Sequence, residues 1–289
     1  MCGRFTQQRP SAELAALFGA EDLADTPGGR YNLAPQQLGL VVVQGPDARR
    51  AVTAFRWGLV PAWAKDPKIG SRLINARAET VATTPAFRTS FAKRRCLVPA
   101  DGFYEWQRVS ERIRQPHFIR RADGAPLAFA GLWSPWRDPE AESPEPLRTF
   151  AIVTTGANAT LAPIHDRMPV VLAPEAWAAW LGAEPSEPGE LLALLRPAPD
   201  ELLVRHPVST RVNSTRNEGP ELVRPLGPGA PEPHMLGLEP AAQWSPGAGE
   251  QQLERGPAAG EPTLSGGGAA GEPTLGGGGA AGEPTLDRR

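Results

Sequence analysis

The sequence predicts an α+β domain built mainly of short strands, followed by a disordered tail. Three observations carry this. Short apolar runs recur from Leu38 to Leu172, separated by Pro- and Gly-containing turns, which is the pattern of many short strands. Helical periodicity is confined to a few brief stretches. From Gly227 the composition changes to Gly, Pro, Ala and Glu, and Ala-Ala-Gly-Glu-Pro-Thr-Leu recurs from Ala258, Ala269 and Ala280. One Leu per repeat cannot bury a core, so 227–289 is read as a disordered tail and 2–226 as the folded domain.

Composition narrows the function classes. The chain has 289 residues, 40% of them hydrophobic, and two cysteines, Cys2 and Cys96. Two cysteines make no disulfide framework, which points to a reducing compartment. No Cys/His cluster suggests a metal site, and no cofactor is expected. The start of the chain lacks the apolar core of a signal peptide, and the longest apolar run, Leu38 to Val43, is too short to span a bilayer. A soluble, cytoplasmic, monomeric protein is the expectation. The formal charge of −2 hides an asymmetry: up to Leu226, 27 Lys+Arg against 24 Asp+Glu give +3, and beyond it 3 against 8 give −5.

The elements follow in order. Ser11 to Phe18 reads as a short helix with Ser11 as N-cap and Leu14, Leu17 and Phe18 as its apolar stripe. After the Thr26-Pro27-Gly28-Gly29 turn, Leu38 to Val43 and Ala51 to Trp57 read as two strands joined at Gln44-Gly45-Pro46-Asp47. Trp57 is expected in the core. Trp63 lies between Pro61 and Pro67 in an irregular segment, where an aromatic ring is available to stack on a base. Phe87 to Phe91 reads as a helix and Cys96 to Ala100 as a short strand, with Cys96 a buried apolar residue. Pro116 to Trp133 reads as strand–turn–strand, Arg137 to Pro146 as an acidic loop, and Phe150 to Thr155 and Val170 to Leu172 as strands. Ala176 to Leu181 and Glu190 to Leu195 read as helices, and His206 to Asn213 as the last strand.

Four stretches carry chemistry. Cys2 follows Met1 directly, and Met1 is removable because Cys is small. The freed residue is a 1,2-aminothiol. Its amine, with a pKa of about 7.7–8.0, is partly neutral near pH 7 and can attack an aldehyde. Its thiol, at about 8.5, can close a thiazolidine on the resulting imine, or can itself be a nucleophile with the amine as base. Asn75, Arg77 and Glu79 alternate, so a strand there would put all three on one face, either solvated or lining a polar site. In a strand from Phe103 to Gln107, Glu105 shares a face with Phe103 and Gln107, and aromatic neighbours would raise its pKa, as suits a general acid. An exposed Glu on an edge strand is the alternative. His165 sits in a loop beside Asp166 and Arg167, between Pro163 and Pro169, where functional residues concentrate.

Taken together, Cys2-Gly3-Arg4-Phe5, Arg30-Tyr31-Asn32 with Ala34-Pro35, Trp57-Gly58-Leu59, Asn75-Ala76-Arg77, Glu105-Trp106, His165-Asp166-Arg167-Met168-Pro169 and His206-Pro207-Val208-Ser209 resemble the SOS-response-associated peptidase (SRAP) family, the abasic-site processing proteins. The resemblance spans roughly Cys2 to Leu226. It implies a compact α+β domain with a barrel-like antiparallel core and peripheral helices. It also implies a covalent thiazolidine crosslink between Cys2 and abasic sites in single-stranded DNA, which shields the lesion, together with self-processing peptidase and lyase-like Schiff-base chemistry. By the same resemblance Cys2, Asn75, Glu105 and His165 are catalytic. Asn75 positions amine and sugar, Glu105 is the acid/base at amine and imine, and His165 promotes sugar ring opening and reversal. Arg4, Arg77 and Arg167 would clamp phosphates, and Trp63 would stack on a base. Rival readings are an amidotransferase of the N-terminal-nucleophile type, distinguished by glutaminase activity; a thiol peptidase using Cys2 and His165, distinguished by turnover of external peptides; and a non-catalytic single-strand binder, whose complex would not survive a denaturing gel.

Overall fold

The computed structural model describes residues 2–24, 26, 28–138, 145–182 and 188–227. The tail expected from Gly227 onward, and most of the acidic loop before Pro146, lie outside these residues. The strands are β1 (Phe5–Pro10), β2 (Ala20–Asp22), β3 (Gly28–Leu33), β4 (Leu38–Gln44), β5 (Arg50–Trp57), β6 (Asn75–Arg77), β7 (Arg95–Ala100), β8 (Gly102–Arg108), β9 (Arg114–Arg121), β10 (Leu127–Trp136), β11 (Leu147–Gly156), β12 (Arg167–Pro169) and β13 (Leu203–Pro207). The helices are short: α1 (Ser11–Phe18), α2 (Arg88–Lys93), α3 (Trp177–Leu181) and α4 (Pro188–Ala193). The α+β class and the barrel core are both realised.

The barrel is a ring of five strands. β5, β4, β7, β10 and β11 pair antiparallel in that sequence, and β11 closes on β5 in parallel at Thr149↔Arg56 and Phe150↔Trp57. Side chains alternate across these strands. Leu40, Val42, Val52, Leu97 and Val153 meet the helices through Leu14, Phe18, Phe91, Trp180 and Leu191. The opposite face carries Val41, Phe55, Trp57, Val98, Phe129 and Phe150, and is joined by Phe5, Leu33, Phe103 and Ile119 from a second sheet of order β13-β9-β8-β1-β3. Trp57 is fully buried, stacked on Phe150 at 6.3 Å and edge-on to Phe5 at 5.0 Å.

β5 and β6 lie end to end along β11, which pairs with β5 through Phe150 and with β6 from Ile152. The chain between them leaves as a loop closed at its base by Leu59 N–H to Leu73 O, 3.0 Å. There Gly58 and Gly70 approach so closely that a Cβ on Gly58, whose φ is +126°, would stand 2.5 Å from the Gly70 carbonyl oxygen. Trp63 rides on this loop. β9 and β10, read as strand–turn–strand, part company after the turn: β9 joins β8, and β10 joins β7 and β11.

Several local expectations are corrected. Pro10, not Ser11, holds the N-cap of α1, and the Ser11 hydroxyl bonds Asp22 Oδ2 at 2.8 Å. Leu17 is 47% exposed, so the buried stripe is Leu14, Ala15 and Phe18. The strand after His165 is Arg167–Pro169 rather than Val170 to Leu172, because β11 pairs through Met168. β13 ends at Pro207, and Thr210–Asn213 is a 3₁₀ turn. No helix among the described residues is long and apolar enough to cross a membrane.

Candidate active site

The described residues begin inside the fold. Cys2 is fully buried against the aromatic face of the barrel. Three elements meet it. β6 supplies Asn75, whose Nδ2 donates to the Cys2 carbonyl at 2.7 Å. β8 supplies Glu105, two residues beyond the Phe5↔Phe103 pair and 3% exposed. The 157–166 loop supplies His165 and is pinned to β11 by Ala157 N–H to Asp166 O, 2.9 Å. Alternation puts Ala76 of β6 in the core and leaves Asn75 and Arg77 on the other face, as the sequence pattern required. Glu79 falls beyond this three-residue strand, among turns.

Burial sets the protonation states. It raises the Glu105 carboxyl to about 7, against the opposing pull of the positive chain terminus. Glu105 is therefore near half-protonated at neutral pH, the condition under which one group can both take and give a proton. The edge-strand alternative is excluded, since β8 runs between β1 and β9. Burial also pushes the Cys2 thiol up, and the Glu105 charge adds to this. The sulfur is held as a thiol with the Arg4 backbone N–H beside it. Burial, then the positive chain terminus, lowers the His165 pKa, so the ring is neutral at pH 7. Its Nδ1 lies 3.0 Å from the Arg167 backbone N–H, a contact that suits the ring form with its proton on Nε2. Asp166 Oδ1 stands 2.8 Å from the same Nδ1 and would favour the ring's protonated form.

The arginines divide into two kinds. Arg4 points inward: one terminal nitrogen donates to Asn32 Oδ1 at 2.7 Å and to the Val212 carbonyl at 2.8 Å, and the guanidinium lies over the Trp106 ring at 5.8 Å. Asn32, itself fully buried, donates to the Ser214 and Asn217 carbonyls, both at 2.9 Å. Arg167 is gripped by both Glu79 oxygens, at 2.6 and 2.9 Å, and reaches the Thr154 carbonyl at 2.7 Å. Arg77 is exposed on the far side of β11 from Arg167. Trp63 is 61% exposed and makes no ring contact or hydrogen bond with these groups among the described residues. Around Cys2 the protein leaves polar atoms unanswered: Nε of Arg4, Nε of Arg167 and Oδ1 of Asn75 are buried without a partner. Such atoms are rare in folded proteins and each calls for a reason.

One neighbour gave no sequence signal. His117 stands directly across from Glu105 in the β8–β9 ladder, on the same face. It is 5% exposed, bonds Gln107 Oε1 through Nε2 at 3.1 Å, and has no partner at Nδ1. Burial lowers its pKa to about 4. Among the described residues no cluster of His, Cys, Asp and Glu is suited to hold a metal ion.

Known proteins resemble this chain in sequence and fold. A family model described as SOS response associated peptidase (SRAP) matches residues 1–215. The abasic site processing protein YoqW of Bacillus subtilis is 40% identical over 227 residues, covering 77% of this chain and 99% of its own. Abasic site processing protein YedK of Escherichia coli is 38% identical over 239 residues, covering 78% and 100%. Abasic site processing protein HMCES of Gallus gallus is 34% identical over 264 residues, covering 78% and 77%. A crystal structure of a Bacteroides thetaiotaomicron protein superposes with a TM-score of 0.69 at 25% identity, over 78% of this chain and all of the other. Sequence and fold agree, and the chain belongs to the SOS response-associated peptidase family.

Proposed function

We propose that the protein captures abasic sites in single-stranded DNA as a covalent thiazolidine on Cys2, after Met1 has been removed. The observation that carries this reading is the burial of Cys2 beside a carboxyl held near pH 7, with Asn75 fixing the Cys2 backbone. An abasic deoxyribose opens to an aldehyde at C1′. The neutral Cys2 amine adds to that carbon, and the carbinolamine loses its hydroxyl as water to give the imine. Glu105 serves both proton transfers, accepting one from the ammonium and returning one to the departing hydroxyl. The Cys2 S–H then adds across the C=N bond, sulfur to carbon and hydrogen to nitrogen. The ring closes with no redox change and one water released in all.

The remaining groups have matching tasks. The unpartnered Oδ1 of Asn75 is placed to accept from the amine or a sugar hydroxyl. His165, whose pKa burial lowers, suits proton exchange with the sugar during ring opening and reversal. Arg77 is free to meet phosphate, Arg167 would do so by trading Glu79 for it, and Trp63 offers an exposed face to a base. The same Glu105, acting on the peptide bond after Met1, supports a self-processing peptidase activity. Residues 2–226 are the acting unit, with 227–289 a dispensable tail.

The test is a denaturing gel with an abasic oligonucleotide. The wild-type chain is expected to shift the strand, Cys96→Ala to do the same, and Cys2→Ala to leave it free. Cys2→Ser keeps the amine, so it should yield an adduct only when borohydride reduces the imine. An adduct with Cys2→Ala would place the nucleophile elsewhere.

A further inference from the structure

At the turn end of the β8–β9 hairpin two arginines face each other. Arg108 and Arg114 are the terminal pair of the ladder, directly opposite in register. Both are exposed, and neither guanidinium has a hydrogen-bond or ion-pair partner among the described residues. In the turn itself the exposed Glu111 and Arg112 carry opposite charges. Like charges directly opposite on an antiparallel pair oppose its formation. Yet the turn is built with care: Ser110 Oγ accepts the N–H groups of Arg112 and Ile113, and Val109 N–H bonds the Ile113 carbonyl at 3.0 Å. A rigid hairpin end thus holds two unanswered charges side by side.

Its position gives the charges a use. Gln107, next to Arg108, reaches the Pro163 carbonyl at 3.4 Å, which ties the hairpin to the loop bearing His165. The Arg114 charge is among those felt at His165. Arg108 lies three residues along β8 from Glu105, about 10 Å at ~3.3 Å per residue, on the opposite face of the strand and at its exposed end. At ~3.4 Å of rise per nucleotide in a stacked strand, that spans about three nucleotides.

We propose that the Arg108–Arg114 pair is a phosphate-binding extension of the site, gripping the backbone of the captured strand about three nucleotides from the lesion. The inference rests on the reading of the protein as a capturer of abasic single-stranded DNA and adds a second point of hold, remote from the chemistry.

The experiment is adduct formation by R108A/R114A, R108K/R114K and the wild-type chain on two abasic oligonucleotides, one with a single flanking nucleotide on each side and one with ten. Half-saturating concentration is measured across a salt series. On the long strand the alanine variant is expected to lose about 1.4 from the log–log salt slope, ~0.7 for each contact. The lysine variant should recover most of it. The short strand and the rate at saturating DNA should be unchanged for all three proteins. An unaltered slope on the long strand, in a wild-type protein that does form the adduct, overturns the extension. An equal loss on both strands also overturns it, because the pair would then be acting on the site itself. A wild-type chain that forms no adduct would instead overturn the reading on which the proposal rests. Thermal melting guards against misfolding: removing like charges should leave the melting point unchanged or raised.

Discussion

Glu105 and His117 form a facing pair whose protonation is set by burial in opposite senses. The Glu105 carboxyl titrates near 7 in the folded chain and near 4.5 when free. The folded state therefore holds a proton that the unfolded state releases between those values, and stability falls as pH rises through that window. His117 titrates near 4 when folded and near 6.5 when free, so its contribution is lost as pH falls from 6.5 toward 4. Glu105→Gln removes the first effect. Its melting point should exceed the wild-type value at pH 8, by up to about 3 kcal/mol of stability, and match it at pH 4.5 and below. The same variant should slow adduct formation at saturating DNA by about 10²–10⁴-fold. A stabilised variant of undiminished rate would make the carboxylate a mere burial cost. The alternation around Glu105 was legible in the sequence, as was its raised pKa. The depth of its burial was not, because that depends on β1 and β9 flanking β8, and His117 became its neighbour only through register.

At the scale of elements, the fold ties short helices to strands through polar side chains rather than through propensity. Arg95 at the start of β7 is the clearest case. Its guanidinium is buried and donates to the carbonyls of Phe91 and Ala92 at the end of α2, both at 2.8 Å, to Trp180 in α3 at 2.5 Å, and to Gly182 just beyond it. It also lies over the Trp180 ring. One cation thus satisfies the orphan carbonyls of two helix ends. Arg95→Met fills similar space without donors and leaves those carbonyls buried, so it should cost about 2–4 kcal/mol in denaturant titration, with the two-state slope retained. A loss below about 0.5 kcal/mol would mean that water replaces the guanidinium fully. Nothing in the sequence told Arg95 apart from Arg94. β1 and β3 were equally silent. Thr6, Gln7, Gln8 and Arg9 have no apolar alternation, and their strand character is imposed by pairing with β3 and β8. The strands of the barrel were legible because each carries its own apolar run.

For the whole molecule, the domain boundary is a prediction of its own. The family match ends at residue 215, and Leu226 N–H still bonds the Pro207 carbonyl at 3.0 Å. Leu222 is fully buried, so a cut before it would open the core. Truncation after Leu226 should leave adduct yield on a short abasic oligonucleotide within about twofold of the full chain, while truncation after Asn213 should abolish it. A large loss on removing 227–289 with melting behaviour intact would assign the repeats a part in binding.

The bond from Arg4 to Val212 joins residues 208 apart, and this has a consequence for how the protein is made. Cys2 and Arg4 leave the ribosome before β8, whose Tyr104 N–H bonds the Arg4 carbonyl, and before the turn at Val212. At about 5–20 residues per second, roughly 10–40 s separate the two ends of that bond. For that interval the N-terminus is an open peptide, accessible to an external aminopeptidase. Once the last turn docks Cys2 is fully buried, so the proposed removal of Met1 by an external enzyme belongs to that interval.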